Sequence, residues 1–337
     1  MSRQSRAARE HDLEGPSRVR DHGGVSKQRA LVLGATLLLA ACSEAPPRPA
    51  PGVTDIIRLP PPVAGGIVGL GTEGRIAFVS DQDGDLEIFV MRANGTDLEQ
   101  ITFNDAPDFT PSWSPDGSRI VWAAERGGNA DVYAMDPDGS DIARLTSHPA
   151  ADFSPAWSPA GDRIAFQSTR KGNSEVYDMG VDGSDVRRLT RSPDLDASPT
   201  WAPDGSSIAF ARGGIGELDI FVMASDGSRQ RRLTRAPGED DKPSWSPDGR
   251  TIAFQSERGG PFQIYLMDQD GSRQRPITTA GSGDVDPNWS PDGRWILFDS
   301  TRDGNLELYV MRLDGGDPVR LTDRSRGDGV ADWTPTG

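Results

Sequence analysis

The chain carries one cysteine and three histidines in 337 residues. A single thiol makes no intramolecular disulfide, so no cystine framework holds this fold. His11 and His22 precede Cys42, and His148 stands alone in the rest of the sequence. Triad and zinc chemistries need imidazole or thiolate groups in numbers that are missing here, and His148 is expected in a surface loop. No apolar run reaches the roughly 20 residues of a membrane-spanning helix. Positive charge is scarce as well: 36 Lys and Arg face 51 Asp and Glu, a formal net charge of −15. Such a body repels nucleic acid and anionic lipid headgroups, and it favours basic partners or divalent cations.

What is present is punctuation and rhythm. The 39 glycines and 27 prolines mark a turn-rich all-β chain. A tryptophan returns every 44 residues, at Trp113, Trp157, Trp201, Trp245, Trp289 and Trp333. Around it stands a version of Asp-x-x-Pro-x-Trp-Ser-Pro-Asp-Gly, fullest at 240–249 and most worn at 328–337. A period this long means a repeat architecture. Within one period, Arg163-Ile164-Ala165-Phe166, Glu175-Val176-Tyr177 and Arg188-Leu189-Thr190 are β-branched or aromatic runs separated by Gly-bearing turns. No segment shows a helical stripe. Four short strands and their turns fill one unit, which is a propeller blade. Six copies predict an all-β, six-bladed β-propeller of four-stranded antiparallel blades. The tryptophans are expected to fill the spaces between blades.

Counting back one period from Trp113 reaches Gly69, which has no such motif around it. The first blade then begins with its second strand at 75–79 and continues through 87–91 and 100–102. The C-terminal segment 328–337 supplies a first strand with no blade after it. It is expected to complete the first blade, closing the ring and removing a sheet edge.

The front of the chain is different. Arg18, Arg20, Lys27 and Arg29 precede the short apolar run 30–41, which fits the h-region of an export signal. The run ends in Leu39-Ala40-Ala41-Cys42, which resembles the lipobox of bacterial lipoproteins. That resemblance implies cleavage before Cys42, acylation of its thiol, and anchoring by two or three acyl chains, where one chain is marginal. Ser43 follows in place of the inner-membrane retention Asp, which favours the outer membrane or periplasmic side in a Gram-negative cell. Residues 42–73, rich in Pro and Ala, read as a semi-rigid tether. The division is signal peptide 1–41, tether 42–73 and propeller 74–337.

With Pro243-Ser244-Trp245-Ser246-Pro247-Asp248-Gly249, Ile252-Ala253-Phe254, Ile264-Tyr265-Leu266-Met267, Asp270-Gly271 and Ile277-Thr278 in view, the repeat resembles the TolB-type propeller family. The resemblance spans 75–337 and implies fold more specifically than function. TolB carries a further amino-terminal domain where this chain has a tether. The reading is a lipid-anchored, monomeric, non-enzymatic propeller of the cell envelope that binds a protein or a basic peptide segment. The alternative is a metal-dependent hydrolase or lyase acting on a glycan or lactone at the channel mouth.

Two sets of charged residues repeat. Asp108, Asp152, Asp196, Asp240, Asp284 and Asp328 stand five positions before each tryptophan and are expected as an acidic ring at one channel mouth. At about 8 Å spacing and an effective dielectric of 20, neighbours repel by about 2 kcal/mol. Hydrogen bonds from each aspartate's own loop backbone or from the hairpin arginine beside it offset this, or the ring holds Ca²⁺ or a basic partner segment. Arg126, Arg170, Arg258 and Arg302 share one hairpin register, with Gln82 and Gly214 in the other two blades. They are expected either to pair with a neighbouring blade's carboxylate or to recognise an anionic group. Asp81, Asp83 and Asp85 have calcium-loop spacing but Leu86 where a tight-turn Gly belongs, so they read as a solvated hairpin tip.

Overall fold

Every repeat folds as four antiparallel strands, and the computed structural model describes residues 74–313 and 317–334. The signal, the tether and Cys42 lie outside these residues. Six four-stranded sheets form six blades, numbered here 1–6 along the chain. The innermost strands are Asp108–Trp113, Asp152–Trp157, Leu195–Trp201, Asp240–Trp245 and Asp284–Trp289 in blades 2 to 6, and Asp328–Trp333 in blade 1. Each lies against the next around the ring, and Asp328–Trp333 meets both Asp284–Trp289 and Asp108–Trp113. Blade 1 is therefore built from both ends of the propeller: Asp328–Trp333 pairs antiparallel with Arg75–Ser80.

The motif residues explain the blade. In the turn after each tryptophan, Ser114 Oγ donates to Asp116 at 2.6 Å and accepts from the Arg119 N–H at 2.9 Å. Gly117 takes a φ of 67° there, which a side chain resists. The Asp-Gly turn between third and fourth strands needs glycine for a second reason. A Cβ at Gly271 would stand 2.8 Å from the Leu233 carbonyl oxygen of the preceding blade. The fourth strands are only two residues long because the threonine just beyond takes over their role. Thr102, Thr146, Thr190, Thr234, Thr278 and Thr322 each accept a third-strand N–H on Oγ1.

The tryptophans fill the seams between blades. Trp113 packs with Ala77, Val79, Ile88 and Val90 of blade 1, and Trp333 with Trp295, Leu297 and Leu308 of blade 6. Each such indole removes roughly 150–250 Å² from water. At 25 cal/mol per Å² that is about 4–6 kcal/mol as an upper bound.

Each innermost strand carries a bulge where its register against the second strand slips. At the bulge, Thr110, Ser154, Ser198, Lys242, Asp286 and Val330 all adopt φ near 50°, between 47° and 53°. A bulge re-aims its side chain. Here it turns six residues, three before each tryptophan, toward the central channel.

Candidate functional site

Six buried aspartates stand at the head of the innermost strands. Asp108, Asp152, Asp196, Asp240, Asp284 and Asp328 all have no exposed surface, so each is enclosed in its own blade rather than presented to solvent. A charge so placed demands a partner. Arg126 reaches Asp108 at 2.8 Å, Arg170 reaches Asp152 at 2.9 Å, Arg258 reaches Asp240 at 2.6 Å and Arg302 reaches Asp284 at 2.9 Å. The expected pairing with a neighbouring blade is corrected by this geometry. The hairpin connects the second and third strands of one blade, so its arginine folds back over that blade's own carboxylate.

Aromatic pairs hold these guanidinium groups flat. Arg170 lies over Phe166 and Tyr177, Arg258 over Phe254 and Tyr265, and Arg302 over Phe298 and Tyr309, at 4.6–5.4 Å from the ring centroids. In blade 2, Trp122 Nε1 also donates to Asp108 at 3.0 Å.

Two blades reach the same arrangement by routes that the repeat register did not reveal. In blade 4, Arg212 sits directly across the sheet from Asp196 and clasps it with Nε and Nη2 at 2.6 and 2.8 Å. In blade 1, Gln82 holds the hairpin position, and Arg324 comes from the loop before the closing strand to stack on Phe78 and Phe89. The signal for Arg212 is Phe-x-Arg in place of Phe-x-x-x-Arg.

The channel itself is one-sided. On the flank of blades 2 to 4 the bulge residues and the residues before each tryptophan are Thr110, Ser112, Ser154, Ala156, Ser198 and Thr200, with no charge. On the other flank the same positions hold Lys242, Ser244, Asp286, Asn288, Val330 and Asp332, with Asp241 next to Lys242. Lys242 Nζ bridges to Asp286 of the next blade at 3.0 Å. Burial opposes the Lys242 charge, yet Asp286 and Asp241 outweigh it and hold the ammonium above its ordinary value. Asp332 accepts the Trp113 N–H at 2.7 Å and Asn288 Nδ2 at 2.9 Å, and burial pushes its carboxyl up to about 6.

Asp299 is the residue that sequence reasoning missed. It lies on the second strand of blade 6, and its Oδ2 accepts the Val330 N–H at 2.6 Å. In blades 3 and 5 the same service comes from Gln167, which accepts from Ser198, and Gln255, which accepts from Asp286. Both are neutral amides. Asp299 puts a carboxylate there with no exposed surface, and its Oδ1 has no hydrogen-bond partner. Burial and then the nearby Asp286 push its pKa well above the ordinary carboxylate value. Comparing position 299 with 167 and 255 in the repeat exposes the change.

On the hairpin of blade 1, Asp83, Asp85 and Glu87 bring carboxylate oxygens within 4.8 Å of one another. The sequence triplet Asp81, Asp83 and Asp85 is thus replaced by one that uses Glu87, the first residue of the third strand, onto which the turn 81–86 brings Asp83 and Asp85. Burial raises Glu87 to about 8. These are the described side chains that could hold a divalent cation. His148 is exposed, and its Nδ1 accepts the Ala150 N–H at 3.0 Å.

The architecture defines a class: a six-bladed propeller of Trp-centred repeats, bound by Asp–Arg pairs, with charge gathered on one channel flank. Within that class, the chain belongs to the TolB beta propeller domain family, which matches it at residues 72–151, 108–215, 191–283 and 263–337. It is similar to TolB from Acinetobacter baumannii at 23% identity and a TM-score of 0.69, over 79% of this chain and 68% of that one. A TolB-type protein of Agrobacterium tumefaciens aligns at 25% identity and a TM-score of 0.62, over 77% of this chain and 92% of that one. The hydrazine synthase of Kuenenia stuttgartiensis shares the fold at 16% identity and a TM-score of 0.66, over 82% of this chain and 50% of that one. Comparison with curated protein sequences finds no match.

Proposed function

We propose that this protein is a non-enzymatic docking propeller of the cell envelope, TolB-like in its repeats, whose channel receives a basic segment of a partner protein. The observation that carries the reading is the charged flank of the channel, where the partly exposed carboxylates of Asp286 and Asp332 are set against the single lysine Lys242. Asp299, fully buried behind them with an unpartnered oxygen, makes that flank costlier still to the fold. A lysine or arginine from a partner would answer the Asp286 and Asp332 charge. The neutral, hydroxyl-bearing flank opposite leaves room for the rest of such a segment without a competing cation.

The six Asp–Arg pairs belong to the frame in this reading, since each carboxylate already has a cation and Ca²⁺ is not needed to offset the ring. The lipobox-like Leu39-Ala40-Ala41-Cys42 and the family relationship support an envelope location with a lipid anchor at Cys42. The test is a pull-down from envelope extracts with wild type and the double variant Asp286→Asn, Asp332→Asn side by side, followed by titration of the recovered partner's basic segments. The reading requires a partner that wild type retains and the double variant loses. Equal recovery by both proteins sinks it. Failure of Cys42→Ala to abolish fatty-acid incorporation would remove the anchor from it.

A further inference from the structure

The turn rim at the seam between blades 1 and 2 holds a cation that its own blade does not neutralise. Arg75 and Arg163 open the second strands of blades 1 and 3, and Arg119, in the same repeat register, immediately precedes the second strand of blade 2. Arg119 is met by Asp136 at 3.2 Å and Asp141 at 2.8 Å. Arg163 is met by Asp178 at 2.6 Å and Asp185 at 3.0 Å. Arg75 has no such answer. The residue facing it across the sheet is Arg92, where blade 2 has Asp136. Asp97, the counterpart of Asp141 and Asp185, is bound to Arg92 instead. Ser207, Thr251 and Trp295 occupy the position in the other blades, so this cation is confined to one seam.

Two contacts fix the Arg75 side chain in place. Its guanidinium carbon lies over the Trp113 indole, 5.3 Å from the ring centroid, and Nη2 donates to the Pro137 carbonyl at 3.3 Å. Among the described residues no carboxylate comes within ion-pair distance of it. The guanidinium keeps other N–H donors, in the fork geometry that matches a carboxylate.

Arg75 lines a cleft of 570 Å³ together with Glu99, Arg119, Asp136, Pro137 and Asp138. That volume suits a small ligand. Arg119 and Asp136 cancel one another, which leaves Arg75 facing Glu99 and Asp138. Asp138 is oriented by Ser140, whose N–H and hydroxyl it accepts at 3.0 and 2.6 Å. A lone anion would meet two carboxylates on an acidic body, and a lone cation would leave Arg75 unanswered while being repelled by it. Only a ligand bearing both charges satisfies the lining.

We propose that this cleft binds a small zwitterion, an amino acid or short peptide with free ends, its carboxylate on Arg75 and its ammonium on Glu99 and Asp138. The site is independent of the channel and of the docking function proposed for it.

The test uses the purified full chain and three probes: glycylglycine, its N-acetylated form and its C-terminal amide. Binding is followed by ligand-observed NMR and calorimetry. Glycylglycine is expected to bind about tenfold more tightly than either singly charged analogue, the difference one charge-assisted contact makes. Arg75→Gln, which keeps a donor for the Pro137 carbonyl, is expected to lose that binding. The surface pair Glu99→Gln and Asp138→Asn, which leaves the fold untouched, is expected to bring glycylglycine down to the level of its N-acetylated form. Equal affinity for all three probes, no binding of any, or glycylglycine binding that survives Arg75→Gln would each overturn the proposal. The channel variant Asp286→Asn, Asp332→Asn should leave glycylglycine binding unchanged, so a failure here is distinct from a failure of the channel reading.

Discussion

Arg324 Nε lies 3.3 Å from Asp328 Oδ2, four residues apart on the approach to the closing strand. The side chains are 5% and 0% exposed, and neither Asp328 oxygen has a hydrogen-bond partner. The other five aspartates receive their arginine from a second strand or hairpin at 2.6–2.9 Å. Burial lowers the Arg324 pKa and raises that of Asp328 to about 7. The pair that closes the ring is the loosest of the six.

Removing Arg324 leaves Asp328 buried without a counter-charge, so Arg324→Ala should destabilise the fold by about 3 kcal/mol in urea titration. Adding Gln82→Arg, which places an arginine in the hairpin register of Arg302, should recover part of that loss. No recovery would mean that Arg324 stabilises through its stacking on Phe78 and Phe89 alone.

Stability should fall as pH rises from 5 to 9. Glu87, Asp328 and Asp332 are raised in the folded chain to about 8, 7 and 6, against ordinary values of 4.5 and 3.8. A group so raised holds its proton in the folded state where the unfolded chain has released it. Its contribution is complete below its ordinary value and is lost as pH climbs through the folded one. Unfolding free energies at successive pH values test this, and Asp328→Asn should flatten the slope near pH 7. Exposed turn aspartates such as Asp116, lowered to about 2 by Ser114 and Ser118, act in the opposite sense only at acid pH.

Asp299→Gln should raise stability by about 1–3 kcal/mol, the cost of an unsatisfied buried group. It installs the amide that Gln167 and Gln255 already provide at the equivalent positions. Melting temperatures of the two proteins provide the measurement, and a lower value for the variant would contradict it.

Asp85→Asn should also stabilise, by about 1 kcal/mol. In blades 2, 3 and 6 the corresponding Asn129, Asn173 and Asn305 donate Nδ2 hydrogen bonds to carbonyls of the following loop at 2.8–3.0 Å. An aspartate there adds a carboxylate next to Asp83 and Glu87 instead. Thermal melts of both proteins in chelator provide the measurement, and a lower melting temperature for the variant would contradict it.

The frame was legible because the residues that build it repeat. Trp113 and its five counterparts, the Ser-Pro-Asp-Gly turns and the circular closure by 328–337 all follow from one period read against hairpin chemistry. The six aspartates were legible as a set, but their burial was not, since nothing in the spacing says how deep an innermost strand starts. Arg212 and Arg324 escaped because their blades solve the same electrostatic problem from different chain positions. The channel escaped for a further reason. Its character comes from Lys242, Asp286, Asp299 and Asp332, which occupy positions that other repeats fill with small or neutral residues. A search for what recurs passes over what is exchanged.

The seam between Arg75–Ser80 and Asp328–Trp333 joins positions as far apart as 259 residues, the separation of the Arg75 N–H from the Thr334 hydroxyl that receives it. Five blades assemble from neighbouring chain, each as soon as its own four strands exist. Until the last strand docks, the nascent protein is an open arc with an unpaired sheet edge at one end and a gap where Asp332 should receive the Trp113 N–H. The slow step of folding is then a single search over nearly the whole chain, and loop-closure entropy sets its rate. The same latch is where the native ring first comes apart, so proteases and hydrogen exchange will meet this protein there before they meet it anywhere else.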